Sequence, residues 1–157
     1  MNVLFAASEA FPFCKTGGLA DVAGSLPIAL AEGGDNVSVI LPLYGQISQE
    51  WREKMTYRNY IYVDVAWRHQ YCGLFSMEYR GVTWYFVDNE YYFRRGGLYG
   101  DYDDGERFAF FSKACLDAMG TIGYIPDVIQ CNDWQTALIP TYLKAMYHGA
   151  FPKTRVM

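Results

Sequence analysis

The sequence predicts an α/β fold, a mostly parallel sheet flanked by helices with an antiparallel insertion of strands. Asn2–Ala7, Val37–Leu41 and Asp127–Cys131 are short and mostly apolar, as strands buried on both faces of a parallel sheet should be. Each is followed, at once or after an intervening segment, by a stretch with helical periodicity. Between the second strand and the second helix lie β-branched and aromatic runs separated by turn residues, which is hairpin patterning. At 157 residues the chain is sized for one domain, residues 1–157, with its own core.

The elements follow in order. Asn2–Ala7 is the first strand, and a helix is expected over Leu19–Glu32. Gly33-Gly34 suits a left-handed C-cap, and Pro27 inside the helix predicts a kink or two shorter pieces. Val37–Leu41, closed by Pro42, completes a β-α-β unit whose right-handed crossover makes the strands parallel. Tyr57–Ala66, Tyr71–Tyr79 and Val82–Val87 read as an antiparallel meander with a turn at Arg80-Gly81. The tyrosines there read as packing, because amphipathic rings suit half-buried strands. Asn89–Asp104, rich in Gly, Tyr and Asp, reads as a long loop of the kind that carries function.

A helix over Gly105–Ile122 places Phe108, Phe111, Ala114, Cys115 and Ala118 at helical spacing, with Asp103 or Asp104 as cap and Glu106 in its first turn. Asp127–Cys131 is a further strand, Asp133–Tyr147 a helix capped by Asp133, and Thr154–Met157 begins another strand. An edge near Val156 would be open to self-association.

Composition narrows the function. Net charge is −4 with a pI near 5.1, and Arg94-Arg95 is the only adjacent basic pair, so no nucleic-acid footprint is present. No apolar run approaches the ~20 residues that span a bilayer, and the N-terminus has no charged leader, so a soluble cytoplasmic protein is expected. Cys14, Cys72, Cys115 and Cys131 form no CxxC pair and the only histidines are His69 and His148, which argues against zinc and for four reduced thiols. Asp101, Asp103 and Asp104 read as loop and cap, because Gly105 breaks the spacing of a calcium loop; no metal and no cofactor are expected.

The stretch Ser8–Pro27, SEAFPFCKTGGLADVAGSLP, is the informative one. Glycines between a strand and a helix create an anion site, since orphan N–H groups and the helix dipole favour a phosphate there. Gly17 and Gly18 allow close backbone approach and Lys15 adds a mobile positive charge. The pattern is neither a P-loop nor a GxGxxG dinucleotide fingerprint. On these residues alone the glycines serve either phosphate binding or backbone geometry, and Glu9 and Asp21 either bind sugar hydroxyls or cap and solvate.

SEAFPFCKTGGLADVAGSLPIAL closely resembles the N-terminal motif of bacterial glycogen synthases and plant starch synthases, ADP-glucose-using glucosyltransferases of the GT-B fold. The agreement continues through Leu41-Pro42-Leu43-Tyr44, VDNEYYFRRGGLYGDYDDGERFAFFSKA and PDVIQCNDWQTALIPTYLK, across essentially the whole chain. The resemblance implies a Rossmann-like domain and retaining transfer of glucose from ADP-glucose to the nonreducing end of an α-1,4-glucan. It implies same-face attack through an oxocarbenium-like state, the departing ADP being stabilised by preorganised positive charge and helix dipoles rather than a metal.

By position it implies that Lys15 contacts the phosphate and glucosyl region, with Gly17 and Gly18 lining the same pocket. Glu9 and Asp21 stand beside the glucosyl or acceptor side, and Tyr99 lies close to the sugar. Asn132, in CNDW, stands where many bacterial relatives carry histidine; it can hydrogen-bond the sugar but cannot shuttle a proton near neutral pH.

Family members are much longer, so this chain is expected to be a truncated N-terminal part lacking the C-terminal domain, and inactive alone. Three other readings remain: a noncatalytic module binding glucan or sugar nucleotide, an unrelated Rossmann-like nucleotide or flavin protein, and another GT-B enzyme such as a sucrose or trehalose-phosphate synthase. The missing fingerprint weighs against the second. KTGGLADV, which fits ADP-glucose enzymes best, weighs against the third.

Overall fold

A computed structural model describes all residues, Met1–Met157. Seven strands form one sheet in the order β3-β4-β5-β2-β1-β6-β7. Strands β1 (Asn2–Ala6), β2 (Asn36–Pro42), β5 (Val82–Asp88), β6 (Val128–Cys131) and β7 (Arg155–Val156) pair in parallel. Strands β3 (Thr56–Val65) and β4 (Arg68–Tyr79) are the antiparallel insertion, β4 also pairing antiparallel with β5. β1 sits near the middle, and Leu4, Phe5 and Ala6 are essentially sealed from water because neighbours cover both edges and both faces.

Two tight turns shape the insertion. Tyr79 pairs with Val82 across Arg80 (φ 52°) and Gly81 (φ 78°), and two positive φ values suit the right-handed twist of the strands they join. Val65 pairs with Arg68 across Ala66 and Trp67, leaving the Trp67 ring in solvent.

Helix α1 (Gly18–Glu32) links β1 to β2, and α4 (Asp104–Ile122) precedes β6 on the other side of β1. The two crossovers run in opposite directions from the sheet centre, so right-handed connections place the helices on opposite faces. Phe13 packs edge-on or tilted against Trp51, Trp84 and Phe86 at 4.9–5.2 Å. On α4, Phe108, Phe111, Ala114, Cys115 and Ala118 are all buried as their spacing predicts, with Phe110 tilted against Tyr92 at 4.9 Å.

Local details depart from the sequence expectations. Pro27 is buried within one continuous helix, because the contacts of the α1 inner face outweigh one missing hydrogen bond. The left-handed residue after α1 is Gly34 (φ 99°), while Gly33 stays right-handed. The segment expected as pure loop contains a short helix, α3 (Glu90–Phe93), nucleated by Asn89, whose side chain accepts from Tyr92 N at 2.8 Å.

The expected helix from Asp133 is three pieces: a 3-10 turn at Trp134–Thr136, helix α5 (Leu138–Tyr142) and a π turn at Leu143–Tyr147. Pro140 lies within α5 and has no N–H to donate, which accounts for part of that irregularity. The remaining short helix, Gln49–Arg52, is α2.

Candidate functional site

In an open parallel sheet, ligands bind beyond the C-terminal ends of the strands, where successive connections leave in opposite directions. That point lies here between β1 and β6, whose last residues, Ala6 and Cys131, are paired. From β1 the chain runs into Ser8–Gly17, and from β6 into Asn132–Thr136. Two of the three motif regions of the sequence therefore emerge side by side. The third, the loop carrying Tyr99, joins them through a hydrogen bond of 2.7 Å between the Tyr99 and Ser8 hydroxyls.

At the α1 N-terminus, the anion that meets the backbone donors is the chain's own. Glu9, only 3% exposed, accepts from the Thr16 N–H, from the Thr16 hydroxyl at 2.9 Å and, more weakly, from the Gly17 N–H at 3.4 Å. The carboxylate thus does for this turn what a phosphate does in other glycine loops. The N–H groups from Gly18 onward are the first of the helix and have no carbonyl one turn earlier inside it. A Cβ on Gly17 or Gly18 would meet nothing within 4 Å, so these glycines leave the backbone bare on its outer side. Gly24 is different: a Cβ there would overlap the Phe11 carbonyl, and its absence lets α1 lie against the loop before the turn.

Lys15 is not free. Its ammonium lies 2.7 Å from both carboxylate oxygens of Asp21, and both side chains are about half exposed. An ion pair this wet contributes at most about 1 kcal/mol, so an incoming anion competes for the lysine at little cost.

Asn132 donates to the Ala6 carbonyl at 2.9 Å and to the Gln130 carbonyl at 3.3 Å, which ties its side chain to the ends of both central strands. The next residue is strained: Asp133 has φ 65° and ψ −179°, a region populated almost only by glycine. Its carboxylate accepts from Trp134 N at 2.7 Å, so the expected cap forms, on a backbone its residue type does not announce. The turn aims the half-exposed Trp134 ring edge-on at Phe108, 5.2 Å away, and Phe108 lies 5.8 Å from Tyr99. Tyr99, Phe108 and Trp134 make a continuous aromatic shelf next to Asn132.

Titration behaviour follows from burial. Burial pushes the Tyr99 phenol well above its usual value and the Cys14 thiol up to about 12, so neither ionises near neutrality. All four cysteines are free thiols. His69 is paired with Asp64 on the exposed β3–β4 hairpin. The three-aspartate cluster is bound by arginines: Arg95 holds Asp103 at 2.9 and 3.0 Å, and Arg107 holds Asp104 at 2.6 Å and Asp101 at 3.2 Å. Neither Asp103 nor Asp104 caps α4 with its side chain, since Asp104 instead accepts from the Gly100 and Asp101 amides.

Sequence reading did not single out Ser8 or Arg107, named Arg95 only within a basic pair, and took Asp133 as a cap without its strain. Arg107 carried a usable signal, an arginine among apolar helix positions directly after an acidic run. Asp21 lines a shallow concavity with Phe11, Gly24 and Ser25, whereas Lys15, Tyr99 and Asn132 lie outside it on an open ledge.

Comparison with known proteins matches this geometry to a family. The model of the starch synthase catalytic domain matches residues 2–157. A glycogen synthase of Clostridium botulinum (strain Eklund 17B / Type B) is 56% identical over 147 residues, covering 94% of this chain and 31% of the relative. One of Halalkalibacterium halodurans is 51% identical over 168 residues, covering 97% and 35%. The catalytic domain of Starch Synthase IV from Arabidopsis thaliana, solved bound to ADP and acarbose, superposes with a TM-score of 0.88 at 28% identity over 99% of this chain and 32% of that one. The chain spans about a third of the length of these relatives. A family match along nearly its full length, with the same fold, means that this chain belongs to the glycogen and starch synthases of the GT-B class, within the starch synthase catalytic domain.

Proposed function

We propose that residues 1–157 form the N-terminal part of an ADP-glucose-dependent α-1,4-glucan glucosyltransferase that transfers glucose with retention to the nonreducing end of a glycogen-type acceptor. The observation that carries this reading is the meeting of the KTGG turn, Tyr99 and Asn132 at the β1/β6 switch point of a chain 56% identical to a glycogen synthase.

In this reading the ledge is one wall of a cleft. The free N–H groups at the start of α1 and the ammonium of Lys15, exchanged from Asp21, oppose the charge that develops on the departing diphosphate. Glu9 is too buried to take a large share of hydroxyl bonding and serves mainly to hold the turn's shape. Asp21, freed of Lys15, accepts from acceptor or donor hydroxyls. Asn132 and the rings of Tyr99 and Trp134, both backed by the buried Phe108, orient the glucosyl ring, the aromatic faces meeting its C–H groups. Asn132 cannot shuttle a proton and burial holds the Tyr99 phenol protonated, so in this reading the ledge acts by positioning and electrostatics.

Residues 1–157 span about a third of the relatives' length, and on their own they are expected to transfer no glucose. No helix is long and apolar enough to cross a membrane, and four free thiols fit a reducing cytoplasm, where we place the enzyme. The test is transfer of labelled glucose to glycogen by the intact protein containing this chain. Transfer from ADP-glucose that collapses in Lys15→Ala supports the reading; a strong preference for UDP-glucose sinks the donor assignment, and transfer by the isolated chain sinks the one-wall assignment.

A further inference from the structure

We propose that Arg107, enclosed in the core behind the ledge, is a positioning residue that sets the place of Tyr99 by holding the backbone on both sides of it. This inference rests on the reading above that Tyr99 faces the sugar. Arg107 is fully buried. Its Nη1 donates to the Leu98 carbonyl at 3.1 Å, the oxygen of the very peptide group whose nitrogen belongs to Tyr99. The same Nη1 holds the Asp104 carboxylate at 2.6 Å. Asp104 in turn accepts from the Gly100 N–H at 2.8 Å and the Asp101 N–H at 3.2 Å, the two residues after Tyr99. Nε donates to the Tyr92 carbonyl at 2.7 Å and ties the assembly to α3.

The loop needs such a brace. Gly96, Gly97 and Gly100 surround Tyr99, and glycine-rich backbone loses the most freedom when it is ordered. Tyr99 meets the turn after β1 through its hydroxyl on Ser8, which is itself fully buried and followed at once by Glu9. A shift of the Leu98–Asp101 backbone would therefore move the aromatic shelf away from the KTGG turn, and displacements of about 1 Å can cost ~100-fold in rate. Lysine cannot replace the arginine, because one ammonium cannot serve the Tyr92 and Leu98 carbonyls and Asp104 with a planar fork.

The experiment is a double-mutant cycle in the intact synthase, using Arg107→Lys, Tyr99→Ala and their combination, with kcat and KM measured for ADP-glucose and for glycogen. Arg107→Lys should lower kcat/KM by about tenfold or more and change the same parameter that Tyr99→Ala changes. In the Tyr99→Ala background it should cost less than about twofold. Hydrogen exchange at Gly100 and Asp101 should quicken in Arg107→Lys while α1 stays protected. The milder Asp104→Asn, which loses the acceptor for Gly100 N–H, should act in the same direction if Arg107→Lys does not fold. Multiplicative effects in the cycle, or unchanged exchange at Gly100 and Asp101, overturn the proposal. If Tyr99→Ala transfers glucose at the wild-type rate, the place of Tyr99 beside the sugar is withdrawn, and the exchange data alone decide whether Arg107 holds the loop.

Discussion

Two clusters of opposite charges border the ledge, and they are built in contrary ways. Around Arg107 the charges are buried or half-buried, each aspartate is held by an arginine, and the bonds converge on backbone. Around Lys15 the single ion pair stands about half in water and touches no backbone through the lysine. Desolvated charges that brace a loop are costly to disturb, because removing one partner strands the other. Solvated charges exchange partners freely. The contrast separates the part of the molecule that fixes shape from the part able to meet a changing charge.

Replacing Arg107 by Met should break the contrast most visibly. It leaves Asp104 without its counter-charge and Asp101 with only Arg95 at 3.7 Å, and should cost about 3–5 kcal/mol in urea unfolding. A loss below about 1 kcal/mol would mean the buried network braces nothing. Glu9→Gln comes next: the turn loses a charge-assisted acceptor for Thr16 and Gly17 and should lose about 1–2 kcal/mol. An unchanged midpoint would show that the turn keeps its shape without its internal anion.

Acid sharpens the comparison further. The hydrogen bonds from Arg95 hold the Asp103 carboxyl below the usual carboxylate range. A depressed carboxylate contributes stability that is present above its unfolded value, about 3.9, and is lost as pH falls through the folded value. Asp103→Asn should therefore be less stable than the parent at pH 7, and the difference should shrink as pH drops below about 4. A difference independent of pH would show that the pair contributes no charge-dependent stability. Lys15→Ala should change stability least, by under about 1 kcal/mol, while reducing donor affinity in the intact enzyme. A large stability loss would place Lys15 with the bracing group.

Much of this arrangement was legible in advance, for reasons visible residue by residue. Val37–Leu41 and Phe108–Ala118 declare a strand and a helix because burial pattern follows backbone period. Arg80-Gly81 declares a turn through the φ values it tolerates. The KTGG turn, Tyr99 and Asn132 were legible as motif positions. The strained turn at Asp133 was not, because nothing in an aspartate signals a φ of 65°, whereas Pro140 is a visible cause of part of the irregularity beyond it. Neither was the Glu9 carboxylate under the turn, since an acidic residue seven positions before its partner reads equally well as solvated.

The sequence by itself determined the order of strands and helices, the parallel pairing around β1 and the family, because periodicity, turn chemistry and motif spacing are local properties of the chain. The tertiary structure alone decided that Glu9 fills the helix N-terminus, that Lys15 rests on Asp21, and that Arg107 is buried behind Tyr99. It also joined Ser8 to Tyr99 across 91 residues and Asn132 to Ala6 across 126. Such contacts depend on which segments the sheet brings together and how much water it excludes, and short-range patterns carry no record of either.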